Sequence, residues 1–369
     1  ELTVVDPRRV LVTGAGGAPA TNYVRSLRLA PEPFYLIGVD CSPYHLPLAE
    51  TDETHLVPRA DDPDYIQIIN EIARETGAEL IFAQPDVEVA VLSARRDELA
   101  APMFLPAKET IERCLDKFSS YSAWRDAGIK VPPTRGIDGP ADLEAALGQF
   151  GEAWLRPTTG SAGNGSYHTS DLRHAKMWLD SRDGWGSYTA AAYLGPDSVT
   201  WQSIWLDGEL VVAQGRKRLQ WELADRSPTG VTGVTGVGTT VSDPLVDSVA
   251  LAAVRAVDAR PHGIFSVDMT NDAEGVPNPT EINIGRFFTT SLFFAEAGLN
   301  MPHIFTRLAL GEEPPPIERK INPLPPGLLW VRGMDREPRL VCPGSLESAA
   351  AELAERRTRS RKETTAVAD

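Results

Sequence analysis

Apolar and polar positions follow two different rhythms along this chain of 369 residues. In the first third, short apolar runs are separated by amphipathic stretches: "RRVLVTG", a helical stretch from about Asn22, "FYLIGVD", "YIQIINEIARETG", "ELIFAQPD" and "EVAVLSARRDELA". Strand, helix, strand in this order predicts a parallel sheet with helices on its faces, ending near Ile111. A helix over "LDKFSSYSAWRDAG" is closed by Gly128 and gives way to "IKVPPT", whose prolines forbid further helix. From Trp154 the segments read as antiparallel strands: "AWLRPT", "SVTWQSIWLDGELVVAQGRKRLQ" with a hairpin at Asp207 and Gly208, and "GIFSVDMTNDAEGVPNPTEINIGRF" folding about its polar middle. After a proline-rich bridge, Pro314 to Pro326, "LLWVRGMDREPRLVC" predicts one more strand pair, and "ERRTRSRKETTAVAD" lacks periodicity and predicts a disordered end.

This length suits two or three α/β lobes around a cleft. Hydrophobic residues make up 42% and charged residues 24%, which leaves no case for wholesale disorder. The net charge of -15 argues against a nucleic-acid partner, because phosphate backbones are bound by clustered cations. Cys41, Cys114 and Cys342 lack C-x-x-C spacing, so neither a disulfide framework nor a zinc site is expected, and a cytoplasmic location fits best. No apolar run approaches the roughly 20 residues of a bilayer span. The start has no signal-peptide pattern, and the absence of an initial Met leaves open a trimmed chain and a lost targeting segment.

The stretch "VLVTGAGGAPATNYVRSLR" resembles a dinucleotide turn, with Gly14, Gly17 and Ala20 spaced as G-x-x-G-x-x-A and Asp40 placed as a ribose-binding acid. Against that, no Tyr-x-x-x-Lys pair accompanies it, and Pro19 removes an amide donor that a pyrophosphate would use. A turn built for close strand-to-helix packing satisfies the same spacing. Further along, Arg156 precedes a Gly, Ser and Asn loop from Thr158 to Ser166, a composition suited to gripping phosphate oxygens, or to a plain hairpin tip. A hairpin centred near Glu274 and Gly275 sets Asp268 across from Glu281, with Asn283 on the same face and Ile282 and Ile284 on the other. Two carboxylates and an amide suit a hard cation carrying a nucleotide; solvated acids on an exposed face are the alternative.

Taken in order, "LDKFSSYSAWRDAGIKVPPT", "WLRPTTGSAGNGSY", "YLGPDSVTWQSIWLDGEL", "GIFSVDM" and "PTEINIGRFFTTSLFFAEAGLNMP" resemble the ATP-grasp enzymes, particularly the branch similar to the carbamoyl phosphate synthetase large subunit. The opening, "VLVTGAGG" through "AQPDVEV", resembles that superfamily's preceding domain, so the likeness runs from residue 8 to about 345. It implies an α/β fold with an N-terminal pre-ATP-grasp domain (1–111) and a two-lobed α+β module. That module has a small lobe (112–192) and a large lobe (193–345), followed by the tail (346–369).

By the same resemblance, Lys117 and Arg156 face the nucleotide phosphates and the loop with Thr159, Gly160, Ser161, Gly163 and Gly165 closes over them. Ala192, Tyr193 and Leu194 line adenine, and Asp197 takes the ribose. Asp268, Glu281 and Asn283 hold Mg2+ or Mn2+. The family's E-x-N-P-R reads "EINIGR" here, so Arg286, one place late, is the expected cation by the transferred phosphoryl group, with Lys217 and Arg218 as further catalytic cations. Gly16, Asp86, Arg216, Gly233 and Gly236 are the expected substrate contacts, and His168 is expected to be a lid contact rather than a catalyst.

The activity so implied converts a carboxylate to an acyl phosphate with ATP as co-substrate and couples it to an amine, releasing ADP and phosphate. Phosphorylation of carbamate or bicarbonate, an NAD-dependent oxidoreductase, and a non-catalytic ATP-binding protein are the alternatives. The partners expected are small-molecule acid and amine substrates, with a homodimer as the assembly and neither nucleic acid nor membrane.

Overall fold

The computed structural model describes residues 6–160, 163–333 and 336–368. They divide into two compact units, one of Glu1–Lys108, Gly285–Pro316 and Met334–Asp369, the other of Glu109–Ile284 and Ile317–Gly333.

The first unit is built on four parallel strands, β1 (Arg8–Thr13), β2 (Phe34–Asp40), β3 (Glu53–Leu56) and β4 (Leu80–Phe82), in the order β3-β2-β1-β4. Val10 to Val12, Leu36, Ile37 and Leu80 to Phe82 are all buried, as unbroken apolar runs must be when helices cover both faces of a sheet. The helix after β1 runs Ala18–Arg28 and starts earlier than about Asn22, because Pro19 sits in its first turn, where no amide is needed. Helices Ser291–Glu296 and Met301–Ala309 also belong to this unit. Phe305 on the second of them and Phe287, ahead of the first, lie against Phe82, which itself stacks on Tyr23 at 3.9 Å.

The tail departs from its expected disorder: Pro343–Ala368 is a helix. Its arginines find carboxylates within the first unit, Arg356 meeting Glu75 at 2.7 Å and Arg357 meeting Asp62 at 2.7 Å. Distant partners of this kind order a segment that has no apolar stripe of its own.

The second unit holds two antiparallel sheets. The smaller comprises β5 (Thr134–Ile137), β6 (Ala153–Pro157), β7 (Tyr167–Thr169) and β8 (Tyr188–Ala192), in the order β5-β8-β6-β7. Ala153 and Leu155 point into a core with Ile137, Leu143 and Leu179, which leaves Trp154 and Arg156 on the opposite face.

The larger sheet comprises β9 (Ser198–Leu206), β10 (Glu209–Trp221), β11 (Thr235–Val241), β12 (Gly263–Asn271), β13 (Pro277–Ile284) and β14 (Leu329–Val331), in the order β13-β12-β9-β10-β11-β14. The hairpin at Asp207 and Gly208 forms as expected, Leu206 pairing with Glu209. The predicted last strand pair does not form among the described residues: β14 alone joins β11, and 336–342 carry no strand. Pro338, without an amide to donate, interrupts the segment that would have paired. Among the described residues no helix is long and apolar enough to cross a membrane.

Candidate functional site

In the β12–β13 hairpin Asp268 is the direct cross-strand partner of Glu281, and Ser266 that of Asn283. Ile282 and Ile284, 2% and 0% exposed, anchor the other face in the core. Asn283 Nδ2 donates to Asp268 Oδ2 at 2.9 Å. The ladder slips between Asp268 and Met269, where Pro279 cannot donate an amide. Thr280, left out of the pairing, offers its carbonyl to Arg156 Nη2 at 2.7 Å. An irregularity in one sheet thus fixes a cation carried by the other.

Glu281 lies 3.9 Å from Lys117 Nζ and 4.0 Å from Arg156 Nη1. Lys117 opens the helix Lys117–Asp126, whose N-cap Asp116 accepts from the Ser119 amide at 2.8 Å. The Lys117 amide donates to Thr158 O at 2.8 Å, and its ammonium donates to Gly160 O. One residue therefore ties the carboxylate pair to the base of the glycine loop, which carries Thr159. The far end of that loop is held at Gly165 O by Trp178 Nε1 at 2.9 Å and Tyr188 Oη at 3.0 Å. Gly163 packs against Val231. Val231 belongs to the connection between β10 and β11 that also contains Gly233. Ser161 lies outside the described residues.

Along β10 the alternation separates the three expected cations. Arg216 and Arg218 face Asp268, whereas Lys217 points away and meets Asp197 Oδ1 at 2.8 Å. That hydrogen bond from Lys217 is the main reason the Asp197 carboxyl is held below its ordinary range, and Asn271 Nδ2 adds a second at 3.0 Å. Arg218 stacks over Trp221 at 3.8 Å and reaches Asp268 Oδ1 at 3.4 Å. Burial lowers the pKa of Arg156, opposed by Glu281 and Asp268. Burial and the like charge of Arg218 push Arg216 well below the ordinary guanidinium value. Among the described residues Lys117, Arg156, Arg216 and Arg218 gather around Asp268 and Glu281, a local cluster of cations in a protein of net charge -15.

Ala192 ends β8 with its amide bound to Pro133 O at 2.9 Å. Tyr193 stacks on His168 at 3.7 Å and on Trp154 at 6.2 Å, and Leu194 is half-buried beside it in sequence. Gly236 lies within β11, its carbonyl accepting the Arg332 amide at 2.9 Å.

The remaining expected residues belong to the first unit. The Gly16 amide donates to Asp40 Oδ2 at 3.0 Å, and its carbonyl accepts from Arg336. A side chain there would meet His45 O at 2.1 Å, so the glycine allows a close backbone approach. Asp40, the acid that imitates a ribose ligand, ties the turn together instead, accepting from the Ser42 amide as well at 2.9 Å. Arg286, expected beside a phosphoryl group, pairs with Asp86, Nη2 to Oδ2 at 3.1 Å. β13 ends at Ile284, and Gly285, at φ 70°, turns the chain before Arg286.

Among the described residues no group of three or more His, Cys, Asp and Glu side chains could hold a metal ion. The donor set at Asp268, Glu281 and Asn283 fits a hard ion that takes its other ligands from phosphate and water. Sequence reasoning missed Thr200, whose hydroxyl meets Asp268, Arg216 and Arg218. A lone threonine between Val199 and Trp201, in line with Asp268, was the available signal.

Residues 10–103 match the family model described as the PylC-like, N-terminal domain. Over 177 residues the chain is 29% identical to the phosphoribosylamine–glycine ligase of Streptomyces coelicolor, a match covering 47% of this chain and 41% of that one. The chain thus spans about two fifths of the length of that relative. Its fold is similar to the L-amino acid ligase from Bacillus licheniformis, with TM-score 0.62, 12% identity, and 82% of this chain and 74% of that one covered. It is likewise similar to a carboxyaminoimidazole ribonucleotide synthase from Aspergillus clavatus complexed with ATP, with TM-score 0.64, 17% identity, and 86% and 80% covered. At these identities the two structural likenesses are ones of fold.

Proposed function

We propose that this chain, which shares the fold of the ligases and synthases named above and resembles the ATP-grasp enzymes in its motifs, is an ADP-forming ligase that activates a carboxylic acid with ATP and joins it to an amine. The observation that carries this reading is the convergence of Lys117, Arg156, Arg216 and Arg218 on the Asp268–Glu281 pair, an arrangement suited to a polyanion carrying a divalent ion. Relatives named as ligases of glycine and of L-amino acids support it.

Asp268, Glu281 and the amide oxygen of Asn283 are the groups that would hold Mg2+ or Mn2+, which when bound neutralises the nucleotide's phosphates. Asn283 turns its nitrogen to Asp268, so ligation would follow rotation of the amide. Arg156 on the smaller sheet and Lys117 at the start of its helix anchor the phosphates. The amides of the glycine loop close over them and exclude water from an acyl phosphate. Arg216 and Arg218, on the larger sheet, take the acid's carboxylate and then the charge that spreads over the transferred group. Tyr193 and Leu194 border the base. The three free cysteines suit a reducing compartment such as the cytoplasm.

Hydroxylamine trapping tests the reading: the chain, Mg-ATP and a panel of carboxylic acids should yield hydroxamate and ADP together. AMP and pyrophosphate in their place would overturn it. Glu281→Gln should lower ADP release by at least about a hundredfold, while the urea unfolding midpoint stays close to that of the wild type.

A further inference from the structure

Glu281, Asp268, Thr200 and Arg216 are successive cross-strand partners on β13, β12, β9 and β10, so their side chains stand in one row on one face of the larger sheet. Thr200 occupies the middle of this row and is 1% exposed. A hydroxyl has one proton to give and two lone pairs to receive. Here the proton goes to Asp268 Oδ1, and the lone pairs accept from Arg216 Nη2 at 2.9 Å and Arg218 Nη2 at 3.3 Å. Its capacity is filled by three charged groups, two of which repel each other.

We propose that Thr200 is a positioning residue that sets Asp268 and the Arg216–Arg218 pair at a fixed spacing around the anionic substrate. The assignment rests on the ATP-dependent reading above. Lys117 and Arg156, which lie off this row and engage the phosphates under that reading, are not among the partners of Thr200, so it acts on the metal-dependent part of nucleotide binding and on the acid. Hydroxyl and methyl make opposite demands on this position. Thr200→Val keeps the shape and removes the hydrogen bonds; Thr200→Ser keeps the hydrogen bonds and removes a methyl.

The experiment titrates ATP into the full chain with Mg2+ and again in EDTA, and measures KM for whichever acid the wild type activates. T200V should lose about tenfold of the gain in ATP affinity conferred by Mg2+ and raise KM for the acid by about tenfold. Its ATP affinity in EDTA should stay within about twofold, and T200S should hold both quantities within about threefold of wild type. A role in packing alone predicts the reverse, with valine tolerated and serine impaired, and that outcome overturns the proposal. Where valine does not give folded protein, Thr200→Ala makes the same comparison with serine. A wild type that shows the Mg2+ gain yet releases no ADP with any acid overturns the ligase reading, while the role of Thr200 is still decided by the binding data. A wild type without the gain overturns both.

Discussion

Glu88 shows how far burial, as the largest of several influences, can move one group. It sits on the helix Asp86–Ala94, 5% exposed, with Tyr65 Oη donating to Oε1 at 2.9 Å. Burial raises its carboxyl from the ordinary 4.5 to about 7, despite hydrogen bonds from Thr13 and Tyr65 that favour the anion, and Asp40 adds repulsion. The folded state therefore holds the proton more tightly than the unfolded chain. The stability from this linkage is fully present below about pH 4.5 and is lost as pH rises to about 7. It is worth on the order of 3 kcal/mol. Urea unfolding at pH 5 and pH 8 should show the wild type losing stability relative to Glu88→Gln across that window; parallel curves would contradict the assignment. Glu88 was not legible in the sequence, because a carboxylate on a helical stretch reads as solvated until its neighbours are known. Asp268 and Glu281 were legible, because a hairpin centre and a period of two suffice to pair them.

The exit of β13 illustrates the same contrast for an element. Strand alternation carries the reading securely as far as Ile284 and then breaks, since Gly285 takes φ 70°, open to glycine and costly for other residues. A methyl there would lie 2.8 Å from Leu105 Cδ2 and 3.2 Å from Val89 Cγ1. Gly285→Ala should cost about 1–3 kcal/mol, seen as a lower urea midpoint with cooperativity retained; unchanged stability would mean that the turn relaxes freely. The departure "EINIGR" was visible in the sequence, but its consequence, Arg286 delivered to Asp86, was not. Long strands and the hairpins at Asp207–Gly208 and Glu274–Gly275 were predictable from turn chemistry. β7 and β14, three residues each, are too short for any period to show.

Across the whole molecule the sequence pattern predicts contiguous domains, whereas the chain passes from one compact unit to the other at 108/109, 284/285, 316/317 and 333/334. Periodicity is local and cannot register such returns. "RFFTTSLFFAEAGLNMP" reads as part of the large lobe, yet Phe287, Phe294, Met301 and Phe305, no more than 2% exposed, belong to the core of the first unit. They complete what β1–β4 and their helices begin: Phe305 is 5.5 Å from Phe82, and Tyr23 Oη shares a hydrogen bond with Thr306 Oγ1 at 2.6 Å. A fragment ending at Lys108 keeps Tyr23 and Phe82 but loses the rings that cover them. Stripped of these neighbours, an apolar surface of that kind favours a collapsed chain without fixed packing. The fragment, though it contains all of the 10–103 match, should bind an apolar dye and melt without a cooperative transition. Appending residues 285–316 through a flexible linker should restore cooperativity and suppress dye binding. A fragment that melts sharply on its own, without binding dye, would show that the four strands and their own helices make a sufficient core, and that the returning aromatic segment decorates a fold it does not help to create.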